Sequence, residues 1–238
     1  MLNQFSRTQL ILGNDAMNIL KGKKVAIFGI GGVGGYVVES LARSGIYNFV
    51  LVDNDKVCMT NINRQIIATI DTIDQYKVDV MKNRILSINP DANVEIRKCF
   101  YLPSNANEFD FEEYDYVVDC VDTVTAKLSI ITEAKKHNKP IISAMGAGNK
   151  MNPCMLEVCD ISKTSVDPLA KVIRYELRKR NIKNVKVVYS KEEPIVPNKG
   201  DEQEITNKRV TPGSNSFVPS TMGLIMASEI VKDLIDYK

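Results

Sequence analysis

Val25-Ala26-Ile27-Phe28-Gly29-Ile30-Gly31-Gly32-Val33-Gly34 decides how this chain folds. Four apolar residues follow Lys23-Lys24 and read as a short strand buried on both faces. Gly29, Gly31 and Gly34 then fit G-x-G-x-x-G between that strand and a helix, with Gly32 inside the turn. Such glycines let the backbone approach a phosphate closely, and the helix N-terminus supplies aligned N–H donors. The motif marks a nucleotide site but does not separate NAD from ATP.

Working outward, the helix after the turn runs to about Ser44, where Gly45 stops it. Phe49-Val50-Leu51-Val52 is the second strand and ends at Asp53, the usual place of a ribose-hydroxyl acceptor. Helical periodicity returns over residues 75–88, and Val94-Glu95-Ile96 reads as a strand. Tyr116-Val117-Val118 runs into Asp119 and Asp122, a helix covers 124–137, and Pro140 to Ala144 is the next strand. Strands alternating with helices predict an α/β chain with a doubly wound, Rossmann-like, mainly parallel sheet. The expected organisation is an N-terminal helical arm over residues 1–22, an ATP-binding core over 23–150 and a C-terminal α/β extension over 151–238. Within the extension, 171–186 reads as a basic helical stretch and 220–235 as a helix. A mobile loop is expected near 190–215, a segment rich in Pro, Gly, Asn, Lys and Glu.

The 238 residues, 44% hydrophobic and 25% charged, suffice for a core that needs no staples. A net charge of +2 excludes a polycation, so contact with nucleic acid must come from a local patch. The five cysteines form no C-x-x-C pair, and no signal peptide is seen. Both features read as reduced thiols in the cytoplasm, with Cys154 and Cys159 as buried structural residues. The apolar runs fall far short of a membrane span. A single histidine, His137, argues against a histidine-based metal site or proton relay.

Beyond Asp53 the chain carries more polar chemistry than a ribose needs. Asp55, Asn61, Asn63, Arg64 and Gln65 follow within twelve positions. An arginine with amides beside a phosphate-binding turn suits a triphosphate. Lys77, on the next helix, reaches the same place. Carboxylates at the end of the fourth strand are natural Mg²⁺ ligands beside such a group. Asp122 is favoured over Asp119 for that contact, with a helix N-cap as the competing reading of Asp122.

These residues carry a resemblance. Arg7 in an N-terminal helix, Gly29 to Gly34, Asp53 and Asp55, Asn61 with Arg64 and Gln65, Lys77, and Asp119-Cys120-Val121-Asp122 resemble the ubiquitin-activating-enzyme-like superfamily of ATP-dependent adenylyltransferases. Within it, three further stretches are most similar to the bacterial tRNA threonylcarbamoyladenosine dehydratases. They are Cys58 to Ile66, Ile88-Asn89-Pro90, and Gly146 to Lys150 with Asp160 to Thr164 and Asp167-Pro168-Leu169; the tail Gly213 to Pro219, followed by Gly223, also resembles them. The paired C-x-x-C motifs usual in sulfur-carrier activators are missing, and Thr123 stands where many members have Asn.

The resemblance implies a homodimeric enzyme that uses ATP and Mg²⁺ to adenylate the threonyl carboxylate of threonylcarbamoyladenosine in tRNA. Ring closure then expels AMP. It implies Arg64, Lys77 and Asp122 as catalytic residues, with Arg7 entering the ATP site of the partner subunit. Gly29, Gly31, Gly32, Gly34, Asp53, Asp55, Asn61, Arg64, Gln65 and Lys77 line the ATP, and Asp122 holds the metal. A sulfur-transfer protein is a further candidate partner; a membrane is not. One alternative is adenylation of the C-terminal glycine of a small sulfur-carrier protein. Another is an NAD-dependent oxidoreductase, which leaves Arg64, Lys77 and Asp122 without a role.

Overall fold

The computed structural model describes residues 2–198 and 212–237. Most of the C-terminal half of the loop expected near 190–215 therefore lies outside the described residues. Seven strands form one sheet: β1 (Lys24–Phe28), β2 (Asn48–Val52), β3 (Asn93–Arg97), β4 (Tyr116–Asp119), β5 (Ile141–Ala144), β6 (Leu156–Asp160) and β7 (Lys186–Ser190). Their spatial order is β3-β2-β1-β4-β5-β7-β6. All pair in parallel except the edge strand β6, which runs antiparallel to β7.

Both faces of the sheet are covered, as the unbroken apolar runs require. Val25 and Ile27 pack with Phe49, Leu51, Tyr116 and Val118 under α2 (Gly34–Arg43), α3 (Lys77–Ile88) and α6 (Val218–Leu234). Ala26 and Phe28 face the other way with Val50, Val52 and Val117, under α4 (Val124–Lys136) and α5 (Pro168–Lys179). This period of two along each strand sorts the core into two layers. The first helix, α1 (Ser6–Gly22), breaks at Gly13, which sits at φ 82° and ψ 170°.

The C-terminal part departs from the sequence reading. The basic helix stops at Lys179 rather than continuing to 186. Asn181 and Asn184 adopt positive φ and turn the chain, and Lys186 opens strand β7. Strands β6 and β7 extend the same sheet beyond β5, so residues after 150 share the core of the first half. Between β3 and β4 the chain makes two short 3₁₀ turns, Pro103–Glu108 and Phe111–Glu113. Among the described residues, no helix is long and apolar enough to cross a membrane.

Candidate active site

The strand order turns around at β1: β2 leaves it on one side and β4 lies on the other. Ligands in open α/β sheets bind beyond the carboxyl ends at such a point. A cleft of about 620 Å³ lies there. Its lining includes Gly29, Gly31, Gly32, Asp53, Asp55, Asn61, Arg64, Gln65, Lys77 and Asp122. Gly29 has φ +91°, and a Cβ there would lie 2.8 Å from the Cys120 carbonyl oxygen. Gly34 is outside the lining; a Cβ on it would sit 1.9 Å from the Gly29 carbonyl oxygen, so it serves the shape of the turn.

Asp53 ties the wall together. Its Oδ2 accepts from Ile30 N at 2.7 Å and its Oδ1 from Asp55 N at 2.8 Å, so one carboxylate fixes the glycine turn against the end of β2. Burial raises its pKa above the ordinary carboxylate value, only partly offset by the nearby Lys77 charge and the two backbone donors. Lys77 is 5% exposed and its Nζ lies 2.7 Å from Asp55 Oδ2. Arg64 Nη1 donates to Thr60 O at 2.7 Å and Asn63 Oδ1 at 2.9 Å, and it has no carboxylate partner among the described residues. Asn61 Oδ1 accepts from Cys58 N at 3.3 Å and shapes the turn that carries Arg64. Gln65 Oε1 is buried without a hydrogen-bond partner among the described residues.

The two carboxylates at the end of β4 separate cleanly. Asp119 is fully buried; its Oδ2 pairs with Lys127 Nζ at 2.7 Å and accepts from Ser143 Oγ. It does not line the cleft, where a metal beside the phosphates would lie. Asp122 is exposed in the cleft, and the N-cap of α4 is Thr123, so the capping reading of Asp122 does not hold. Among the described residues its one polar contact is a 3.4 Å approach of Thr123 Oγ1.

The opposite wall comes from Met145 to Lys150, after β5, and from Asp167-Pro168-Leu169 at the start of α5. Lys150 and Asp167 are buried there, with Nζ 3.6 Å from Oδ2. A short segment joins the two walls. Asn63 Nδ2 donates to Ser214 O at 3.0 Å, Asn215 Nδ2 donates to Lys150 O at 2.6 Å, and Gly213 exchanges two bonds with Asn149.

A model of the ThiF family matches residues 4–238. The chain belongs to the ThiF family. It is 45% identical to a tRNA threonylcarbamoyladenosine dehydratase of Bacillus subtilis, over 99% of this chain and 96% of that one. It is 35% identical to the enzyme of the same name from Haemophilus influenzae, over 94% and 90%. The Escherichia coli tRNA N6-threonylcarbamoyladenosine dehydratase TcdA, crystallised in complex with ATP, matches with a TM-score of 0.89 at 32% identity. That match covers 98% of this chain and 94% of TcdA, and TcdA has also been crystallised with AMP.

The sequence reading of this ThiF-family cleft missed one whole wall. Lys150 and Asp167 fall in stretches that carried the resemblance, yet only the sheet order brings them together. Cys99, Phe100 and Tyr101 also line the cleft, with Tyr101 packed edge-on against Phe28 at 5.0 Å between ring centres. Lys127 did leave a signal: it shares the apolar helix face of Ile130, Ile131 and Ala134. Arg7 is exposed and is not among the residues lining this chain's cleft. Cys154, expected buried, is exposed, and Cys159 is half-buried. Burial pushes the Cys159 and Cys120 thiols above their ordinary pKa, which removes the thiolate a nucleophile needs.

Proposed function

We propose that this ThiF-family chain is an ATP-dependent tRNA threonylcarbamoyladenosine dehydratase acting in the cytoplasm as a homodimer. The observation that carries the proposal is a single cleft joining two walls. One wall presents Arg64 and Lys77 beside the glycine turn, and the other presents the buried Lys150–Asp167 pair. A nucleotide and an acceptor can therefore meet end to end. The full-length relatives bearing the dehydratase name support the choice of acceptor.

A carboxylate is a poor electrophile at neutral pH. Attack of its oxygen on the ATP α-phosphorus expels pyrophosphate and leaves an acyl-adenylate. A ureido atom of the same modification then attacks the acyl carbon and AMP departs, for a net loss of water. The chain's own work is positioning and charge stabilisation. Gly29, Gly31 and Gly32 admit the phosphates to the backbone, and Asp53 and Gln65 face the nucleoside. Arg64 and Lys77 hold the phosphates, with Arg7 of the partner subunit completing the set. Two features support that trans role: Arg7 lies outside its own cleft, and its arm exposes Leu2, Leu10 and Ile11.

Asp122 fits Mg²⁺, which takes one or two carboxylates together with phosphate oxygens. Among the described residues there is no cluster of three acidic, cysteine or histidine ligands, so phosphate oxygens and water would complete the shell around Asp122. Bound there, the ion supplies neutralisation of the departing pyrophosphate.

The test is incubation with ATP, Mg²⁺ and tRNA bearing the modification, followed by nucleoside mass spectrometry. Loss of one water from that nucleoside is expected. An unchanged nucleoside, together with ATP–pyrophosphate exchange that depends on a small carrier protein, overturns the proposal in favour of carrier adenylation.

A further inference from the structure

Asp167 is 2% exposed and lines the cleft, and its two carboxylate oxygens have different surroundings. Oδ1 accepts from Ala170 N at 2.8 Å and caps α5. Oδ2 is buried and has no hydrogen-bond donor among the described residues. Lys150 Nζ lies 3.6 Å away, close enough to balance the charge but beyond hydrogen-bonding reach. That ammonium donates instead to Glu192 O at 2.9 Å. A buried carboxylate oxygen without a donor is costly, so a fold that keeps one has a use for it.

The surrounding backbone is built to aim this oxygen. Val166, the residue before Asp167, sits at φ 59°, a strained conformation for a β-branched side chain. Asn149, the residue before Lys150, sits at φ 56°. Asparagine takes that conformation readily, but strain such as that at Val166 collects at functional sites. Gly146 passes directly over Oδ2, and a Cβ there would come within 2.7 Å of it. Glycine is therefore the residue that packs beside this oxygen without a side chain pressing on it.

We propose that Asp167 is the general base of ring closure, its Oδ2 taking the proton that the substrate's ureido group releases. The inference rests on the dehydratase reading above. Ring closure breaks the bond between the acyl carbon and the AMP oxygen, and AMP leaves with that electron pair. A bond forms from the acyl carbon to a ureido nitrogen or oxygen. Whichever atom attacks, one ureido N–H proton must go, and Oδ2 accepts it; product release returns it to solvent. Adenylation forms no bond to the ureido group and does not need this base.

Asp167→Asn separates the two half-reactions. Asparagine preserves the shape and still caps Ala170, but it puts an NH₂ group where Oδ2 stood. ATP–pyrophosphate exchange driven by modified tRNA should stay at or above the wild-type level. Water loss from the nucleoside should fall by about 10²–10⁴-fold, the range for a general base. Asp167→Ser, which keeps a cap and leaves the Oδ2 position without a base, serves if the first variant does not fold. Wild-type ring closure in a folded variant overturns the proposal, and so does equal loss of exchange and closure in both variants. No water loss from the wild-type protein itself overturns the dehydratase reading as well.

Discussion

On the nucleotide wall of the cleft, Arg64 is half-buried with no carboxylate partner among the described residues, and Lys77 is paired with the exposed Asp55 beside Asp53. On the acceptor side Lys150 lies beside Asp167, and behind that wall Lys127 is locked to Asp119 and donates to Ala144 O, all four charged groups buried. The first wall leaves the Arg64 guanidinium for an incoming polyanion to neutralise. The second carries balanced charge and contributes direction rather than net field. Stability and activity should therefore respond in opposite ways to losing a cation from each side.

The largest effect on stability should follow Lys127→Met, which leaves Asp119 buried without its counter-charge. Removing one partner of such a pair costs about 3–5 kcal/mol, measurable by denaturant unfolding. An unchanged unfolding midpoint would show that the acceptor side does not depend on internal pairing. Arg64→Ala should do the reverse. Its stability should stay within about 0.5 kcal/mol of wild type, while turnover drops by about 10²–10³-fold, as when one preorganised charge donor is removed. Normal turnover in that variant breaks the contrast.

A pair of glycine variants sharpens it further. Gly29→Ala forces a side chain onto positive φ against the Cys120 carbonyl and should cost about 1–3 kcal/mol. Gly31→Ala meets only Gln65, at 3.9 Å, so its stability should change by less than about 0.5 kcal/mol while ATP affinity falls. Calorimetry of folding and of ATP binding on both variants decides this; equal destabilisation would contradict it.

The smallest effect concerns pH. Because burial raises the folded pKa of Asp53, ionising it works against folding. Its favourable contribution is complete below the unfolded pKa and is lost as pH rises through the folded one. Asp53→Asn lacks this loss, so its stability relative to wild type should improve from acid to neutral pH. Unfolding curves at several pH values test the trend, and a constant difference rules it out.

The nucleotide wall was legible because its signals are local. The run from Val25 to Gly34 spells strand, turn and helix, and Asp53 to Gln65 is one continuous loop. Even there, the dual role of Asp53, gripping both Ile30 and Asp55 backbones, needed the folded geometry. The acceptor wall was not legible because its partners meet only through sheet order. Lys150 and Asp167 lie on either side of β6, an edge strand of mixed polarity that no apolar run announced. Helix α5 was over-extended because seven cations between 171 and 186 mask the two asparagine turns. Arg7 remains a case where the sequence pattern names a residue that its own chain's cleft does not use.

The short strap at Gly213 to Asn215 has a consequence for how the two substrates load. It bonds Asn63, next to Arg64, and also Asn149 and Lys150 across the cleft. A ligand that repositions either loop therefore acts on the other through the strap. By thermodynamic reciprocity, whatever factor ATP imposes on acceptor affinity, the acceptor imposes on ATP affinity. The cleft then reads the two substrates jointly, and neither binding constant is a property of one wall alone.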